Sequence, residues 1–395
     1  MQMSYTATYR YGGKTRTAFG LGRNKAMKIT DLTVTMFERT IPKASYGRHT
    51  LPGSGKLSMG LVTVSTDAGV QGHAFLGSPV RTAELDAASL IIALKPVVVG
   101  RDPLQREAIY KDMARRAGLS TWRCVGAIDV ALWDIAGKVA GLPIHQLIGG
   151  FRDKAPAYAS SPGWADVGNY IEEAQAVKEH GYAAYKVHPP RLDPKTDLEV
   201  ARAVRKAVGD EYRLMFDSTG VYTYPQALMV GRELEELGYY WFEDPLPFED
   251  IYNYTKLKQK LDIQVVATEL SPGAFHAYEP WVSQKATDAL RGDVALKGGI
   301  TACLKAAHLA EAFRLNYELH HGGNSLNNVA NLHLFCAIPN TEFFEVVLPD
   351  EAQKCGLIKD LSVGRDGFVH VPTGPGLGVE IDFELIEASK TRVLA

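Results

Sequence analysis

The sequence has little of what marks secreted, membrane-bound or nucleic-acid-binding proteins. Its 395 residues carry a net charge of −2, which argues against a nucleic-acid or membrane-surface partner. No apolar run approaches the roughly 20 residues that a membrane helix needs, and the first residues lack the apolar core of a secretory signal. The four cysteines show no metal-ligand spacing, so we expect reduced thiols in the cytoplasm.

The composition is that of a globular protein of two or three domains, with 46% hydrophobic and 22% charged residues. Residues 1–26 are polar, Gly-rich and aperiodic. They predict either a flexible extension or a segment that orders only in an oligomer. Residues 351–395 contain Gly-Pro turns, and we expect them to form a hairpin that packs back on the front of the molecule.

Residues 27–150 alternate between strand-like and helix-like patterns, which predicts an α+β domain. The predicted elements are a strand at 27–38, two strands within 57–77 joined by a turn at 66–69, helices around 83–99 and 103–117, and a helix that ends at Gly141-Leu142-Pro143. The Gly- and Pro-rich stretch 40–57 is too long for a hairpin turn and is typical of a lid.

Residues 151–350 repeat a strand, a loop and a helix. The predicted strands are 155–160, 183–188, 213–217, 239–243, 264–269, 292–296, 316–320 and 342–347. Eight strands alternating with helices predict a (β/α)₈-type barrel. An open doubly wound sheet is the alternative, but no Gly-x-Gly-x-x-Gly follows the first strand, which argues against a dinucleotide-binding version.

Three acidic residues end successive predicted strands at equal spacing. Asp217, Glu243 and Glu269 are separated by equal intervals (243 − 217 and 269 − 243 both equal 26). In a barrel, side chains at the carboxyl ends of the strands meet at one mouth. Three carboxylates that converge there repel one another unless a cation holds them, so the spacing predicts a site for a hard divalent metal.

Other polar residues also fall at predicted strand ends. Lys186 and His188 are two positions apart and therefore point to the same side of their strand. Asp293, His320 and Glu345 follow on the sixth, seventh and eighth strands. Charged groups at so many consecutive strand ends would be buried without purpose in a purely structural protein, so they predict an active site.

Four segments together resemble the enolase superfamily, and within it the mandelate racemase-like group that includes acid-sugar dehydratases. The segments are AIDVALWDIAGKVAGLPIHQLIGG at 127–150, WFEDP at 241–245, GDVALKGGIT at 292–301 and PTGPGLGVEID at 372–382. The resemblance implies a catalytic barrel at 151–350 and a capping domain built from 27–150 and 351–395. It also implies Mg²⁺ bound by Asp217, Glu243 and Glu269, and a homo-oligomer.

The resemblance further implies roles for the other strand-end residues. A dyad of His320 and Asp293 would supply the base that removes the proton α to a carboxylate. Lys186 would bind the substrate carboxylate, and Glu345, if protonated, would donate a hydrogen bond to it. Many relatives have Lys-x-Lys where this chain has Lys186-Val187-His188, so His188 would serve as a second acid or base, or as a hydrogen-bond donor.

Substrate selection is expected to come from the front domain. The candidates are Tyr46, Arg48 and His49 in the stretch 40–57, which suit a polyhydroxylated or diacid substrate. His321 is expected to support the site from behind or to contact the substrate directly.

The expected function is a Mg²⁺-dependent sugar-acid dehydratase that forms a 2-keto-3-deoxy acid. The alternatives are a racemase, an epimerase or a lactone cycloisomerase that uses the same enediolate chemistry. A binding or structural protein built on an inactive barrel is a further alternative from a different class.

Overall fold

A computed structural model describes residues 27–40, 55–191 and 193–395 in full, together with the backbone of 8–11, 14–17, 45–46 and 49–50. Most of the expected lid therefore lies outside the described residues. This includes Arg48 and the side chains of Tyr46 and His49. Most of the predicted 1–26 extension also lies outside, except two strands that pair with each other.

The front part of the chain contains strands and helices that match the predicted α+β pattern. They are β1 (Thr8–Tyr11), β2 (Lys14–Thr17), β3 (Ile29–Thr40), β4 (Ser45–Tyr46), β5 (His49–Thr50), β6 (Lys56–Thr66), β7 (Gln71–Leu76), α1 (Glu84–Ser89), α2 (Lys95–Val98), α3 (Arg106–Ala114), α4 (Trp122–Ala140) and α5 (Ile144–Ile148). Helix α4 begins after Thr121, whose side chain accepts a hydrogen bond from the Cys124 amide. It ends at Gly141, which adopts the left-handed conformation typical of a helix C-terminus.

The central part alternates strands and helices throughout. They are β8 (Lys154–Ser160), α6 (Val167–His180), β9 (Ala184–Val187), α7 (Pro194–Val208), β10 (Arg213–Asp217), α8 (Tyr224–Glu236), β11 (Trp241–Glu243), α9 (Ile251–Lys258), β12 (Gln264–Ala267), α10 (Glu279–Ser283), β13 (Ala289–Gly292), α11 (Ile300–Ala312), β14 (Asn316–Leu319), α12 (Ser325–Ala337) and β15 (Phe344–Val347). The tail adds β16 (Phe368–His370), α13 (Phe383–Ala388) and β17 (Lys390–Leu394).

The eight parallel strands curl into a nearly closed barrel, which confirms the predicted fold class over the open sheet. Neighbouring strands pair in the order β14, β13, β12, β11, β10, β9, β8 and β15. Side chains bridge the seam between β14 and β15. The amide of His321 donates to Glu345, and the amide of Glu342 donates to the carboxylate of Glu318. Side-chain hydrogen bonds of this kind satisfy backbone groups that a strand ladder would otherwise satisfy.

A separate antiparallel sheet caps the barrel. Its strands are ordered β17, β3, β6 and β7, so the tail completes the front sheet, as the fold class predicted. The prediction of a hairpin in the tail is wrong, because β16 pairs with barrel strand β8 and β17 pairs with β3. The exact domain boundaries at 26, 150 and 350 stay predictions.

The predicted sixth barrel strand is also wrong in position. The strand is Ala289–Gly292 rather than 292–296, and Asp293 begins the turn that follows it. In that turn Asp293 accepts hydrogen bonds from the amides of Ala295 and Lys297. The charged Arg291 lies inside the strand, and it breaks the apolar pattern by which a buried strand is predicted from sequence.

Seven side chains fill the barrel interior below the mouth: Tyr158, Ala184, Met215, Trp241, Val266, Ala289 and Phe343. Side chains two positions apart on a strand face the same way. The next inward positions after Ala184, Met215, Trp241, Ala289 and Phe343 are Lys186, Asp217, Glu243, Arg291 and Glu345. The apolar layer therefore lies directly below a layer of charged side chains. Among the described residues, no helix is both long enough and apolar enough to cross a membrane.

Candidate active site

Asp217, Glu243 and Glu269 come together at the barrel mouth as the spacing predicted. One oxygen from each lies within 4.8 Å of the other two. Asp217 and Glu243 end β10 and β11 and are buried, whereas Glu269 lies two residues beyond β12 and its side chain is 13% exposed. The neighbouring Asp244 is also buried but is not a member of this group.

The oxygens of this group suit a hard divalent cation. All the donors are carboxylate oxygens, which Mg²⁺ and Ca²⁺ prefer. The buried Glu243 Oε1 and Asp244 Oδ1 make no aligned hydrogen bond, although Glu243 Oε1 lies 2.5 Å from Arg291 Nε. Buried carboxylate oxygens that lack a donor are stabilised by a cation. The residues present therefore fit a divalent metal.

Lys186 lies at the centre of the buried charges. Its Nζ is 2.8 Å from Glu345 Oε1, 3.0 Å from Glu243 Oε2 and 3.4 Å from Asp217 Oδ2. Burial and Arg291 oppose its charge, but the carboxylates outweigh them and raise the pKa of Lys186 well above its usual range. These contacts therefore favour the charged form of Lys186 beside the candidate metal site.

Arg291 is a second buried cation, which the sequence analysis missed. Its Nη2 lies 2.5 Å from Glu345 Oε2 and 2.9 Å from the Tyr158 hydroxyl. Its Nε lies 3.5 Å from Glu269 Oε2. Arg291 precedes Asp293 by two positions, the same spacing that put Lys186 and His188 on one face. The spacing was therefore a signal that could have revealed it.

His320 and Asp293 form the predicted pair. His320 Nδ1 lies 2.8 Å from Asp293 Oδ2, and His320 Nε2 lies 3.4 Å from Glu269 Oε1. Because Asp293 can only accept when ionised, Nδ1 carries the hydrogen and Nε2 faces the carboxylates. Burial opposes the charge of His320, but Glu269 and Asp293 raise its pKa to about 9.

Asn331 on α12 supports this pair, and the sequence analysis missed it too. Its side chain donates to the His320 carbonyl oxygen and accepts from the Val294 amide. Asn331 therefore links the residues that follow β13 and β14 and fixes the separation of the two partners.

His188 contacts acceptors through both ring nitrogens. Nε2 lies 2.9 Å from Asp217 Oδ2, and Nδ1 lies 2.8 Å from the Ser161 carbonyl oxygen. Both of these partners are hydrogen-bond acceptors. This geometry suits a donor better than a base.

The surroundings of Glu345 favour its carboxylate over the carboxylic-acid donor considered from the sequence. Burial opposes its charge, but Lys186 and Arg291 outweigh burial and hold the pKa of Glu345 well below its usual range. His321 does not line the cavity. Its Nδ1 accepts from the Glu345 amide, and its ring packs on Phe344. The geometry favours the supporting role predicted for His321 over a substrate contact.

A cavity of about 360 Å³ opens above these residues. Of the predicted site residues, seven line it: Lys186, His188, Asp217, Glu269, Asp293, His320 and Glu345. Glu243 lies beneath them. Three arginines also line the cavity, Arg81 and Arg123 from the cap and Arg191 from the loop after β9, and the sequence analysis identified none of them.

Comparisons with known proteins agree with this architecture. The model of the mandelate racemase / muconate lactonizing enzyme N-terminal domain matches residues 32–149, and the model of the enolase C-terminal domain-like family matches residues 169–385. The chain is 28% identical over 309 residues to the arabinonate dehydratase of Saccharolobus solfataricus. The aligned region covers 76% of this chain and 82% of that relative.

Two further similarities extend this result. The D-galactarolactone cycloisomerase of Agrobacterium fabrum is 29% identical over 342 residues, or 82% of this chain and 88% of that protein. The solved structure of D-glucarate dehydratase from Agrobacterium tumefaciens, complexed with magnesium, is 34% identical with a TM-score of 0.82. The structural alignment covers 93% of this chain and 100% of the D-glucarate dehydratase chain. The chain belongs to the enolase superfamily, in its mandelate racemase and muconate lactonizing enzyme group.

Proposed function

We propose that this protein is a Mg²⁺-dependent dehydratase of sugar acids. The observation that carries the proposal is the placement of the His320–Asp293 pair and the buried Lys186 in one cavity with three carboxylates that fit a divalent metal. The arabinonate and D-glucarate dehydratases among its relatives support the same reaction class.

Asp217, Glu243 and Glu269 would hold the Mg²⁺. When bound, the ion would stabilise the negative charge that develops on a substrate carboxylate as its α-proton leaves. Its positive charge would also offset the charge of Glu269, which now raises the pKa of His320 and favours the protonated imidazole over the base.

His320 acts as the base. Asp293 holds its Nδ1–H, which leaves Nε2 to take the proton α to the substrate carboxylate. Lys186 contributes a fixed positive charge to the same carboxylate. Glu345 positions Lys186 through the 2.8 Å contact and does not itself donate.

Loss of the 3-hydroxyl group completes the reaction. Cleavage of the C3–O bond needs a proton on the departing oxygen, so that water leaves. The donor is either the newly protonated His320 or His188, whose two ring nitrogens both face hydrogen-bond acceptors. The enol that remains tautomerises to a 2-keto-3-deoxy acid.

The assignment is tested by α-proton exchange in D₂O. Purified protein with Mg²⁺ is screened by NMR against a library of sugar acids, and 2-keto products are trapped as semicarbazones. His320→Asn should lower the exchange rate roughly 10²- to 10⁴-fold, the usual contribution of a general base. The matched control is His276→Asn, at an exposed position, and it should exchange at the wild-type rate.

The outcomes separate the competing functions. Exchange at the wild-type rate in His320→Asn would show that another group is the base. Exchange with an epimer or a ring-opened lactone as product, and no semicarbazone, would identify an isomerase, the class to which the similar cycloisomerase belongs. The absence of Mg²⁺ binding by calorimetry would favour an inactive scaffold.

A further inference from the structure

Helix α4 of the cap packs directly on the barrel segment 292–301, which joins β13 to α11 and carries Asp293. The chemistry proposed above uses Asp293 but gives no role to α4. Two polar or close contacts connect the helix to this segment, one through Asp129 and one through Gly126.

Asp129 binds the first turn of α11 from the cap. Its Oδ2 accepts from the Thr301 amide at 2.9 Å, and its Oδ1 accepts from the Thr301 hydroxyl at 2.6 Å. The side chain of the residue before a helix usually accepts from such an amide. Here that residue is Gly299, which has no side chain, and a Cβ on it would lie 2.3 Å from Asp129 Oδ2. A residue of the cap therefore caps a helix of the barrel.

The position of Asp129 is costly for an acidic residue. The side chain is fully buried, and burial raises its pKa to about 7. Among the described residues, no lysine, arginine or histidine makes an ion pair with it. A buried carboxylate is unfavourable unless hydrogen bonds compensate for its lost hydration. The two contacts with Thr301 supply that compensation, so they account for an acid at this place.

Gly126 fixes the segment at its other end. A Cβ on Gly126 would lie 2.4 Å from the Val294 carbonyl oxygen and 3.1 Å from the Gly299 amide nitrogen. Val294 directly follows Asp293, and its amide donates to Asn331 on α12. The backbone next to Asp293 is therefore held between a helix of the cap and a helix of the barrel.

From these contacts we propose that Asp129 and Gly126 are positioning residues of the cap, which hold Asp293 in hydrogen-bond contact with His320. His320 Nδ1 and Asp293 Oδ2 are 2.8 Å apart, and a misplacement of about 1 Å at a catalytic group can cost roughly 100-fold in rate. Asp129 and Gly126 act through the backbone of 292–301 and touch no reacting atom. The inference rests on the proposed function only in taking His320 and Asp293 as the base and its partner.

Matched alanine substitutions on α4 separate this role from a general contribution to stability. Asp129→Ala removes the acceptor of two buried donors of Thr301. The control is Asp134→Ala, at a buried aspartate that accepts from the amides of His73 and Leu377 at 3.0 and 2.9 Å. Both variants should lower the urea midpoint, because each leaves two buried donors without an acceptor. Only the first variant alters a contact with the segment that carries Asp293.

Gly126→Ala and Gly137→Ala form a second matched pair. Alanine favours a helix more than glycine does, but both positions lack space for a Cβ. At Gly137 the added carbon would meet the backbone of Gly376 in the tail at 2.6 Å, whereas at Gly126 it would meet Val294. Gly126→Ala should therefore displace the Asp293 segment, and Gly137→Ala should displace the tail.

A third pair tests the contact from the barrel side with a milder change. Thr301→Val removes the hydroxyl group and keeps the amide, whereas Thr301→Ser keeps both. Thr301→Val should act in the same direction as Asp129→Ala, and Thr301→Ser should behave as the wild type does. This pair decides the question even if Asp129→Ala does not fold.

Two measurements on the Mg²⁺-loaded, full-length protein report on the position of Asp293. The first is the low-field NMR resonance of His320 Nδ1–H at one fixed pH, assigned by its absence in His320→Asn. The second is α-proton exchange with a sugar acid found in the library screen. Asp129→Ala, Gly126→Ala and Thr301→Val should shift or broaden the resonance. They should lower kcat for exchange roughly 10- to 100-fold at nearly unchanged KM.

Asp134→Ala and Gly137→Ala should keep the resonance and kcat of the wild type. An unchanged resonance in the Asp129, Gly126 and Thr301→Val variants would overturn the proposal whatever their exchange rates, and so would an equal change in Asp134→Ala. The resonance needs no substrate, so it is independent of the dehydratase assignment. If it changes as expected while no sugar acid exchanges its α-proton, the positioning role stands and the proposed function fails.

Discussion

Acidification should destabilise the protein through two buried histidines that join helices α5 and α12 to the tail. His145 in α5 and His333 in α12 stack with ring centroids 5.4 Å apart, and their Nδ1 atoms lie 3.3 Å from each other. His333 Nε2 lies 2.9 Å from the Leu377 carbonyl oxygen in the tail. These contacts require a neutral His333 ring, because its Nε2–H donates while its Nδ1 accepts from the His145 amide.

The expected magnitude follows from the pKa of His333. Burial lowers this pKa to about 4, against about 6.5 in an unfolded chain. Between these values the unfolded state binds more protons than the folded state, so stability falls as the pH falls through this window. From pH 7 to pH 5 the free energy of unfolding should decrease by about 2 kcal/mol on account of His333 alone.

Urea denaturation at pH 7 and pH 5 measures this contribution by difference. His333→Gln is uncharged at both values and should lose about 2 kcal/mol less than the wild type between them, whatever its stability at pH 7. His308→Gln, at an exposed position, controls for the loss of a histidine and should behave as the wild type does. If His333→Gln and the wild type lose equal stability on acidification, then this reasoning about buried neutral histidines is wrong.

Two further predictions concern the buried charges. Glu269→Gln should weaken Mg²⁺ binding at least about 10-fold in calorimetry, because the number of charged ligands sets the affinity of such a site. Glu279→Gln, at an exposed position, should leave binding unchanged, and equal weakening in both would contradict the assigned site. Arg291→Gln should lower the free energy of unfolding in EDTA by about 3–5 kcal/mol, because Glu243 and Glu345 lose a buried partner. Urea denaturation checks this, and an unchanged midpoint would refute it.

The barrel and its candidate metal ligands could be predicted from the sequence because each depends on a local pattern. Apolar runs that end in an acid, spaced by 26 residues, identify Asp217, Glu243 and Glu269 without any long-range information. The sixth strand was misplaced because it contains Arg291, and a charge inside a strand is favourable only where other buried residues pair with it. That pairing is a tertiary property.

The arginines of the cavity could not be predicted for the same reason. Arg123 comes from the cap and Arg191 from a barrel loop, and nothing in their local sequences indicates that they face one cavity. Strand β17 was missed as well, because four of its five residues are exposed and the strand lacks an apolar face. Its pairing with β3 becomes visible only once the fold is known.

The pairing of β17 with β3 also sets an order of events during protein synthesis. Strand β3 emerges from the ribosome early, yet its edge partner is made only after every strand and helix of the barrel. Domains fold largely as units while the chain is still growing, so the barrel can form while the edge of the cap sheet remains open. An exposed strand edge is a template for pairing with other chains. The cap of a nascent chain should therefore be the part most dependent on chaperones, and truncations in the tail should cause aggregation before they affect the barrel.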